Sequence, residues 1–531
     1  MDKCPVILAL AGLFALSATA GRINPEQMIY QGAFRLPDSE PYETGWYWGG
    51  SAMTYYPEGD ISGIQDGYPG SIYGTGHAWN LFISEISVPI PVLSGDKNPE
   101  LLNTAETLQL FTNVRGDLFI DSSGEPLFYE MLRAGMEYLP AQGSQATGKI
   151  HMAWGQHLQE GNIDPSHMWC ELDLAHAGPC GPWTFGHYSN YTTCNYLFEI
   201  PVSWSESVLP GYRLATGRFR DGLWSGRGPA LYAYRPWQTD YPAASDTIQD
   251  IVPLLLYGQA EPWDQHIFSD ETMCMNGFRE ADEWIGGAWL TRGEDSAVIL
   301  AGTKGAGSSW YGLPDGTIWD EEDPSQEDPE NQRGWWCEEF KSQILFFDPE
   351  ELAQVANGEK QSYEVQPYDS LNIDPFLFAV DSIQQKDHIC SVCYDRTGNY
   401  LFIGEWLADN DKPIIHIWKI DQQDAVHQKI EPDDFTLFQM YPNPFNAVTM
   451  IRYSVMKRSR IKLDIFDSCG RIVLSREEGF KNRGIYSIRW DGADDNGNAG
   501  ASGIYFVRLL VRPEKSGKDL YLYVKKLILL K

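Results

Sequence analysis

Between residues 81 and 420 the chain repeatedly shows short apolar or alternating runs, each closed by proline or by a charged turn. Five of them, residues 81–89, 196–202, 230–236, 343–349 and 414–420, are seven to nine residues long. Runs of that length match strands better than helices, and the stretches between them have little helical periodicity. Strands satisfy their backbone only by pairing sideways, so the chain must fold into sheets. Residues 348–356 read as the one convincing short helix. Gly-rich approaches at 226–230 and 398–402 lead into strands. The fold class is therefore all-β. Small antiparallel sheets joined by Gly-rich turns point to a β-propeller of five to seven blades, whose apolar faces pack against one another. The starts of the five runs lie 115, 34, 113 and 71 residues apart, and the wide gaps leave room for further blades. No Trp-Asp dipeptide recurs at a regular period of about 40 residues. A pair of β-sandwiches or a jelly roll is the alternative.

The first twenty residues read as an export signal. Lys3 is followed by an apolar run over residues 5–16 and a small-residue cleavage site at Ala18, Thr19 and Ala20. That run is too short to cross a bilayer, and the mature chain is expected to have no transmembrane helix. Against 40 Lys and Arg stand 73 Asp and Glu, a net charge of −33. Such a field repels nucleic acid and anionic membranes, so neither is an expected partner. Of nine cysteines, eight remain after the signal, and export makes disulfides plausible without choosing their pairing. Cys390 and Cys393 have the spacing of a redox or half-zinc motif. No second such pair accompanies them, which favours a structural role. The acidic stretch 316–332 reads as a solvated loop, because its spacing lacks the pattern of a calcium loop.

The last hundred residues are organised differently. Alternating segments at 450–455, 460–466, 486–490, 504–510 and 520–530 are separated by turns, including Asp467-Ser468-Cys469-Gly470-Arg471 and the Asp- and Asn-rich segment after Trp490. About seven short strands in this length fit an Ig-like β-sandwich. The phrases Tyr441-Pro442-Asn443-Pro444-Phe445-Asn446, Trp490-Asp491-Gly492 and Ser502-Gly503-Ile504-Tyr505-Phe506-Val507-Arg508 occur in order before the terminal lysines. This module resembles the C-terminal sorting domain of type IX secretion and the related Ig-like domain of the flagellar hook-capping protein. Ala447 stands where a second proline is common. The resemblance implies export to the cell surface or beyond, with secretion and attachment machinery as partners. The expected domains are thus a signal at 1–20, a propeller-like ectodomain at 21–430, a linker at 431–434 and the sorting module at 435–531.

The ectodomain carries no nucleophile elbow, phosphate loop or His-Glu-x-x-His motif, and no cofactor or metal is expected. One unusual constellation is Arg213, Arg218, Arg220, Asp221, Trp224, Arg227 and Arg235 in a strongly acidic chain. Guanidinium forks bind carboxylate or sulfate, and an indole offers a sugar ring an apolar face, so an acidic polysaccharide would fit. Internal ion pairing is the plainer reading. Seven of ten histidines fall at 77, 151, 157, 167, 176, 187 and 266 without zinc spacing. His77, between Gly76 and Ala78-Trp79, is the functional candidate among them. Asp221 and Glu280 lie among Arg, Gly and aromatic residues, but sequence cannot show whether two carboxylates face each other. Ligand-binding candidates are therefore His77, Arg218, Arg220, Asp221, Trp224, Arg227 and Glu280. The expected function is binding of a ligand such as a glycan. The alternative is a hydrolase or lyase acting on an acidic polysaccharide.

Overall fold

A computed structural model describes residues 21–530 except 39–40, 61–62, 64–66, 117, 119–132, 156–164, 189–191, 219–225, 239, 261–266, 269–271, 321–322, 324–325, 329–331, 381–384, 422–434, 438–439, 441–444, 447–448, 456–457, 469, 482–483, 495–497 and 514–520. The signal reading at 1–20 lies outside the described residues. The chain divides into two compact units, Met1–Gln422 and Gln423–Lys531.

Among the described residues the first unit holds five larger, mainly antiparallel sheets and a two-stranded one of Gln259–Ala260 and Ile267–Phe268. The first contains Met53–Tyr56, Ser71–Thr75, Ile83–Ser87 and Thr107–Thr112 in chain order. The second contains Arg133–Leu139, Lys149–Gly155, His167–Cys170 and Cys180–Phe185, with Thr247–Ile248 added in parallel at its edge. Tyr196–Glu199, Leu214–Gly217, Leu231–Tyr234 and Ile251–Leu255 form the third. Glu283–Arg292, Asp295–Gly312, Gly334–Phe347 and Asp369–Asn372 form the fourth. The fifth takes three strands from the end of the unit, Ile389–Asp395, Tyr400–Asp409 and Lys412–Ile420, and its last from the start. That last strand, Met28–Arg35, pairs with Lys412–Ile420, so the two ends of the unit are hydrogen-bonded into one sheet.

The leading strand of each sheet packs on the leading strand of the next, and that of the fifth packs on that of the first. Each neighbouring pair of sheets also encloses its own apolar core. Trp154, Trp183, Trp289 and Trp418 each fill a different one of these cores and are almost wholly buried. Part of the tryptophan richness is therefore packing. The leading strands come close: a Cβ on Gly135 would lie 2.7 Å from the Tyr196 carbonyl carbon, and one on Gly286 would lie 2.3 Å from a Val392 methyl.

Each expected strand overlaps an observed one, with one correction. Residues 196–202 do not continue as a strand, because Pro201 leads into the helix Val202–Val208. The helix expected at 348–356 spans Pro349–Ala356, where Asp348 accepts a hydrogen bond from the Glu350 amide and Pro349 occupies the first turn. Cys170, Cys180, Cys337, Cys390 and Cys393 are free thiols. Cys390 and Cys393 lie three apart in one strand, with a bulge between Ile389 and Ser391 that places the buried Cys390 against Gly404.

In the second unit, one sheet holds Phe435–Leu437, Thr449–Val455 and Gly484–Trp490. The other holds Ile472–Lys481, Ser459–Asp467, Gly503–Pro513 and Tyr521–Leu529. Inward residues of both sheets, among them Ile451, Tyr453, Leu463, Trp490 and Leu509, share one core. The expected turn at 467–471 is closed by the Asp467 carboxylate, which accepts from the Arg471 amide, with Gly470 at φ +79°. Asp491 and Asp494 cap the amides of Ala493 and Asn498, which is turn chemistry.

Candidate functional site

In an antiparallel meander, the connection between second and third strands emerges at the same end as the segment entering the first. His77 directly follows the second strand of its sheet. Arg218 and Arg227 occupy the corresponding connection of the third sheet. Glu280 lies on the segment entering the fourth. The leading strands run in the same direction. Gly135 faces Tyr196 and Leu197, while two residues on the Glu137 carboxylate accepts from the Glu199 amide at 3.1 Å. Likewise Gly286 faces Val392, and the Thr291 carbonyl accepts from the Tyr394 hydroxyl at 2.7 Å. The described candidates thus lie at the same end of their sheets, the entry end. Arg220, Asp221 and Trp224 lie outside the described residues.

The arginines of the third sheet are engaged within the protein, Arg213 and Arg235 at the opposite end. Arg213 donates to Glu199 at 2.6 Å, and Arg235 donates to Asp250 at 3.3 Å and to the Pro210 carbonyl at 2.7 Å. Arg218 is only 2% exposed, near the rings of Tyr196 and Tyr232. Arg227 pairs by its backbone with Tyr257 and Met275, which lays its loop beside the segment that carries Glu280. Glu280 accepts from the Ser309 hydroxyl at 2.8 Å. His77 has its own surroundings on the first sheet.

Those surroundings are aromatic. The His77 ring meets Trp79 edge-on at 5.1 Å and Tyr42 at 6.2 Å. Tyr42 stacks on Tyr47 at 4.4 Å and accepts from the Trp48 indole at 2.9 Å. Trp48 meets Trp406 of the fifth sheet edge-on at 6.0 Å. Trp79 is 78% exposed, Trp48 40% and Tyr42 39%, so solvent reaches several large rings of a connected group. His77 Nδ1 accepts from the Trp79 amide at 3.2 Å, which holds the ring in a fixed orientation. Burial pulls its pKa below the ordinary histidine value, opposed by Glu43, and this favours the neutral imidazole.

The backbone beneath the rings is strained. Trp48, Leu81, Leu407, Asn410 and Asp411 all have positive φ, between +47° and +67°. Each non-glycine residue in that region costs roughly 1–3 kcal/mol and persists only where its surroundings enforce it. The Trp48 amide donates to the Asp411 carbonyl at 2.8 Å, and the Trp48 carbonyl accepts from Ala78 at 3.1 Å. Three loops therefore clamp one exposed indole. The Trp- and Tyr-rich stretch around Trp46, Tyr47 and Trp48 was a usable sequence signal for this group. Trp406, some 360 residues away, gave none.

A polar cluster ties the leading strands together. Glu137 accepts from the Thr54 hydroxyl at 3.3 Å and from the Glu199 amide. Glu199 accepts from Arg213 and, at 3.2 Å, from Arg396, which also donates to the Trp289 carbonyl at 3.1 Å. Burial, with the Glu199 charge added, pushes the Glu137 carboxyl up to about 8. The residue keeps partial solvent contact although its carboxyl group is enclosed.

The remaining described histidines are dispersed. Burial drives His151 and His167 down to about 3, which leaves them neutral. His176 pairs with Asp173 at the surface, and His187 stacks on Tyr188. His157 and His266 lie outside the described residues. Among the described residues no group of His, Cys, Asp and Glu is arranged to hold a metal ion. No helix among them is long and apolar enough to cross a membrane.

Residues 439–523 match the family described as the secretion system C-terminal sorting domain. This segment is a type IX secretion sorting domain. It addresses the protein to the cell surface or the extracellular space. No curated protein matches the chain. Among solved structures, the chain is similar to FlgD from P. aeruginosa, at 18% identity over 18% of this chain and 69% of that one, TM-score 0.14. It is also similar to PorZ, a surface component of the type IX secretion system of Porphyromonas gingivalis, at 11% identity over 87% of this chain and 50% of that one, TM-score 0.28. A third likeness is to a family 43 arabinoxylan arabinofuranohydrolase from Bacillus subtilis, at 10% identity over 93% and 98%, TM-score 0.29. The chain thus spans half the length of PorZ. At TM-scores of this size the likenesses assign neither fold nor function to the first unit.

Proposed function

We propose that the first unit is a five-bladed β-propeller which binds a glycan on its entry end, and that the sorting module, an Ig-like sandwich, delivers it outside the cell. Removal of a signal at residues 1–20 and a linker at 431–434 belong to the same reading. Three facts support the propeller: five four-stranded meanders, cyclic contacts between their leading strands, and a last sheet completed by the N-terminal strand. The observation that carries the binding function is the clamped aromatic group of Tyr42, Trp48, His77 and Trp79. A pyranose presents an apolar C–H face that stacks on an indole through dispersion, while its hydroxyls reach polar neighbours. Glu43, Asn80 and Asp411 supply such neighbours around the rings. Strained, hydrogen-bonded loops hold the platform before ligand arrives, which lowers the ordering cost of binding. Arg218, the described arginine at this end that immediately follows the second strand, is buried, and this favours a neutral sugar over an acidic one.

One observation favours the hydrolase reading. Glu137 and Glu199 are neighbouring carboxyl groups, one with a raised pKa and one held between two arginines, and such a division separates acid from base. Retention on a panel of immobilised glycans, measured together with product release, tests both readings. Retention without products, lost in Trp79→Ala, is expected. Products that vanish in Glu137→Gln would establish hydrolysis instead, and binding to no glycan would overturn both.

A further inference from the structure

Residues 21–23 run beside the start of Asp295–Gly312, the second strand of the fourth sheet. The Gly21 carbonyl accepts from the Ser296 amide at 3.0 Å, and the Ile23 amide donates to the Ser296 carbonyl at 3.3 Å. Between them, the Arg22 guanidinium donates to the Asp348 carboxylate at 2.6 Å and covers the Tyr368 ring at 4.9 Å. The Tyr368 hydroxyl donates to the Ile23 carbonyl, and the Ile23 side chain is wholly buried in a core shared by the fourth and fifth sheets. Three residues are thus fixed by backbone, side chain and core before the chain enters Met28–Arg35, the strand that completes the fifth sheet.

Gly21 also meets a carboxylate. A Cβ on it would lie 2.0 Å from Asp295 Oδ1 and 3.0 Å from the Asp295 Cγ. The Asp295 carboxylate therefore occupies the space that any residue other than glycine would need. Cβ and N are bonded to the same Cα and lie about 2.5 Å apart, which puts the Gly21 nitrogen within about 4.5 Å of Oδ1. A rotation of the half-buried Asp295 side chain closes that gap.

In the intact chain this nitrogen is a neutral amide. The small residues Ala18, Thr19 and Ala20 stand immediately before it. Hydrolysis of the Ala20–Gly21 bond consumes one water: the C–N bond breaks, the hydroxyl goes to the Ala20 carboxyl group and a hydrogen goes to nitrogen. The amine so released has an ordinary pKa of about 7.7–8.0 and is protonated at neutral pH. The other charges nearby offset one another. Arg22 is turned to Asp348, and Arg292 and Glu294 stand in the same turn as Asp295.

We infer that removal of residues 1–20 creates an α-ammonium at Gly21 which the Asp295 carboxylate binds, so that processing itself supplies the last anchor of the N-terminal strand. The inference rests on the reading of residues 1–20 as a removed signal and adds a receptor for the new terminus. The unprocessed chain has no charge at this nitrogen. The processed chain gains an opposite-charge contact that ties its first residue to the fourth sheet, while Met28–Arg35 joins the fifth.

The full chain, exported by a bacterial host and recovered after processing, tests this. Intact mass and N-terminal sequencing are expected to show Gly21 as the first residue. Trace acetylation with acetic anhydride from about pH 6 to about pH 10, read on the N-terminal peptide by mass spectrometry, gives the α-amine pKa. A paired carboxylate favours the charged form. The folded wild-type value is therefore expected about half a unit above those of Asp295→Asn and of the wild-type chain in urea, roughly a threefold gain in proton affinity. Glu294→Gln, which removes an exposed neighbouring charge, is expected to move the value by less than half as much. Thermal melts establish that each variant is folded. A terminus at Gly21 whose pKa is the same in wild type, in Asp295→Asn and in urea overturns the capture and leaves the signal reading standing. Equal effects of Asp295→Asn and Glu294→Gln also overturn it, since the turn would then act only as a diffuse field. A terminus elsewhere, or no removal, overturns the signal reading and the inference together.

Discussion

Replacing Glu137 with glutamine should make the first unit more stable at alkaline pH and flatten its pH dependence. The folded carboxyl titrates at about 8 against an ordinary value of 4.5, chiefly because burial disfavours the anion and secondarily because Glu199 repels it. The groups facing it are Thr54, Glu199 and Arg396, and only Arg396 favours ionisation strongly. Below the unfolded value both states are protonated and the group has no influence. Between about 4.5 and 8 the folded state retains a proton that the unfolded chain has lost, so stability falls as pH rises, then levels off above the folded value. At about 1.4 kcal/mol per unit, the ceiling on this loss is about 5 kcal/mol. Partial solvent contact screens the group, and a loss of about 2–3 kcal/mol is the expected outcome. Glutamine cannot ionise; its one oxygen still accepts from the Glu199 amide, while its NH2 replaces the oxygen that accepted from Thr54. Urea midpoints from about pH 5 to about pH 9 provide the measurement. Parallel curves for wild type and Glu137→Gln would refute the account, because they would show that the folded carboxyl titrates normally.

Gly135→Ala should destabilise the first unit by at least about 1–3 kcal/mol, since the added methyl would lie 2.7 Å from the backbone of Tyr196; calorimetric melting checks it. Glu405 is buried, accepts from the amides of Phe378 and Ala379 and from His416 at 2.7–2.8 Å, and His416 in turn meets the Tyr30 hydroxyl at 2.8 Å. Glu405→Ala should therefore cost about 3–5 kcal/mol and expose the 373–380 segment to rapid hydrogen exchange, with a smaller effect for Glu405→Gln. A chain lacking residues 435–531 should accumulate in the periplasm of a host with type IX secretion. Fractionation and surface labelling measure this, and normal surface delivery would contradict the sorting role.

Local chemistry was legible because it acts over a few residues. The turn at 467–471, the capped helix at Pro349–Ala356 and most of the short strands follow from propensities and from side chains that bond their own backbone. The helix Val202–Val208 escaped notice because its apolar entry resembles the end of a strand. The arginine cluster looked like an anion site because sequence shows charges without their partners. Glu199 and Asp250 supply those partners across the sheet.

The sequence by itself determined the all-β class and the sorting address of the last hundred residues. Tertiary structure alone decided which sheets are neighbours, because leading strands meet across 60 or more residues and Met28–Arg35 pairs with Lys412–Ile420. It alone brought Trp406 to Trp48 and Lys386 to Trp336. Ring-to-ring contact carries no local signature in the chain; it arises only when separate sheets pack and their loops emerge at one end.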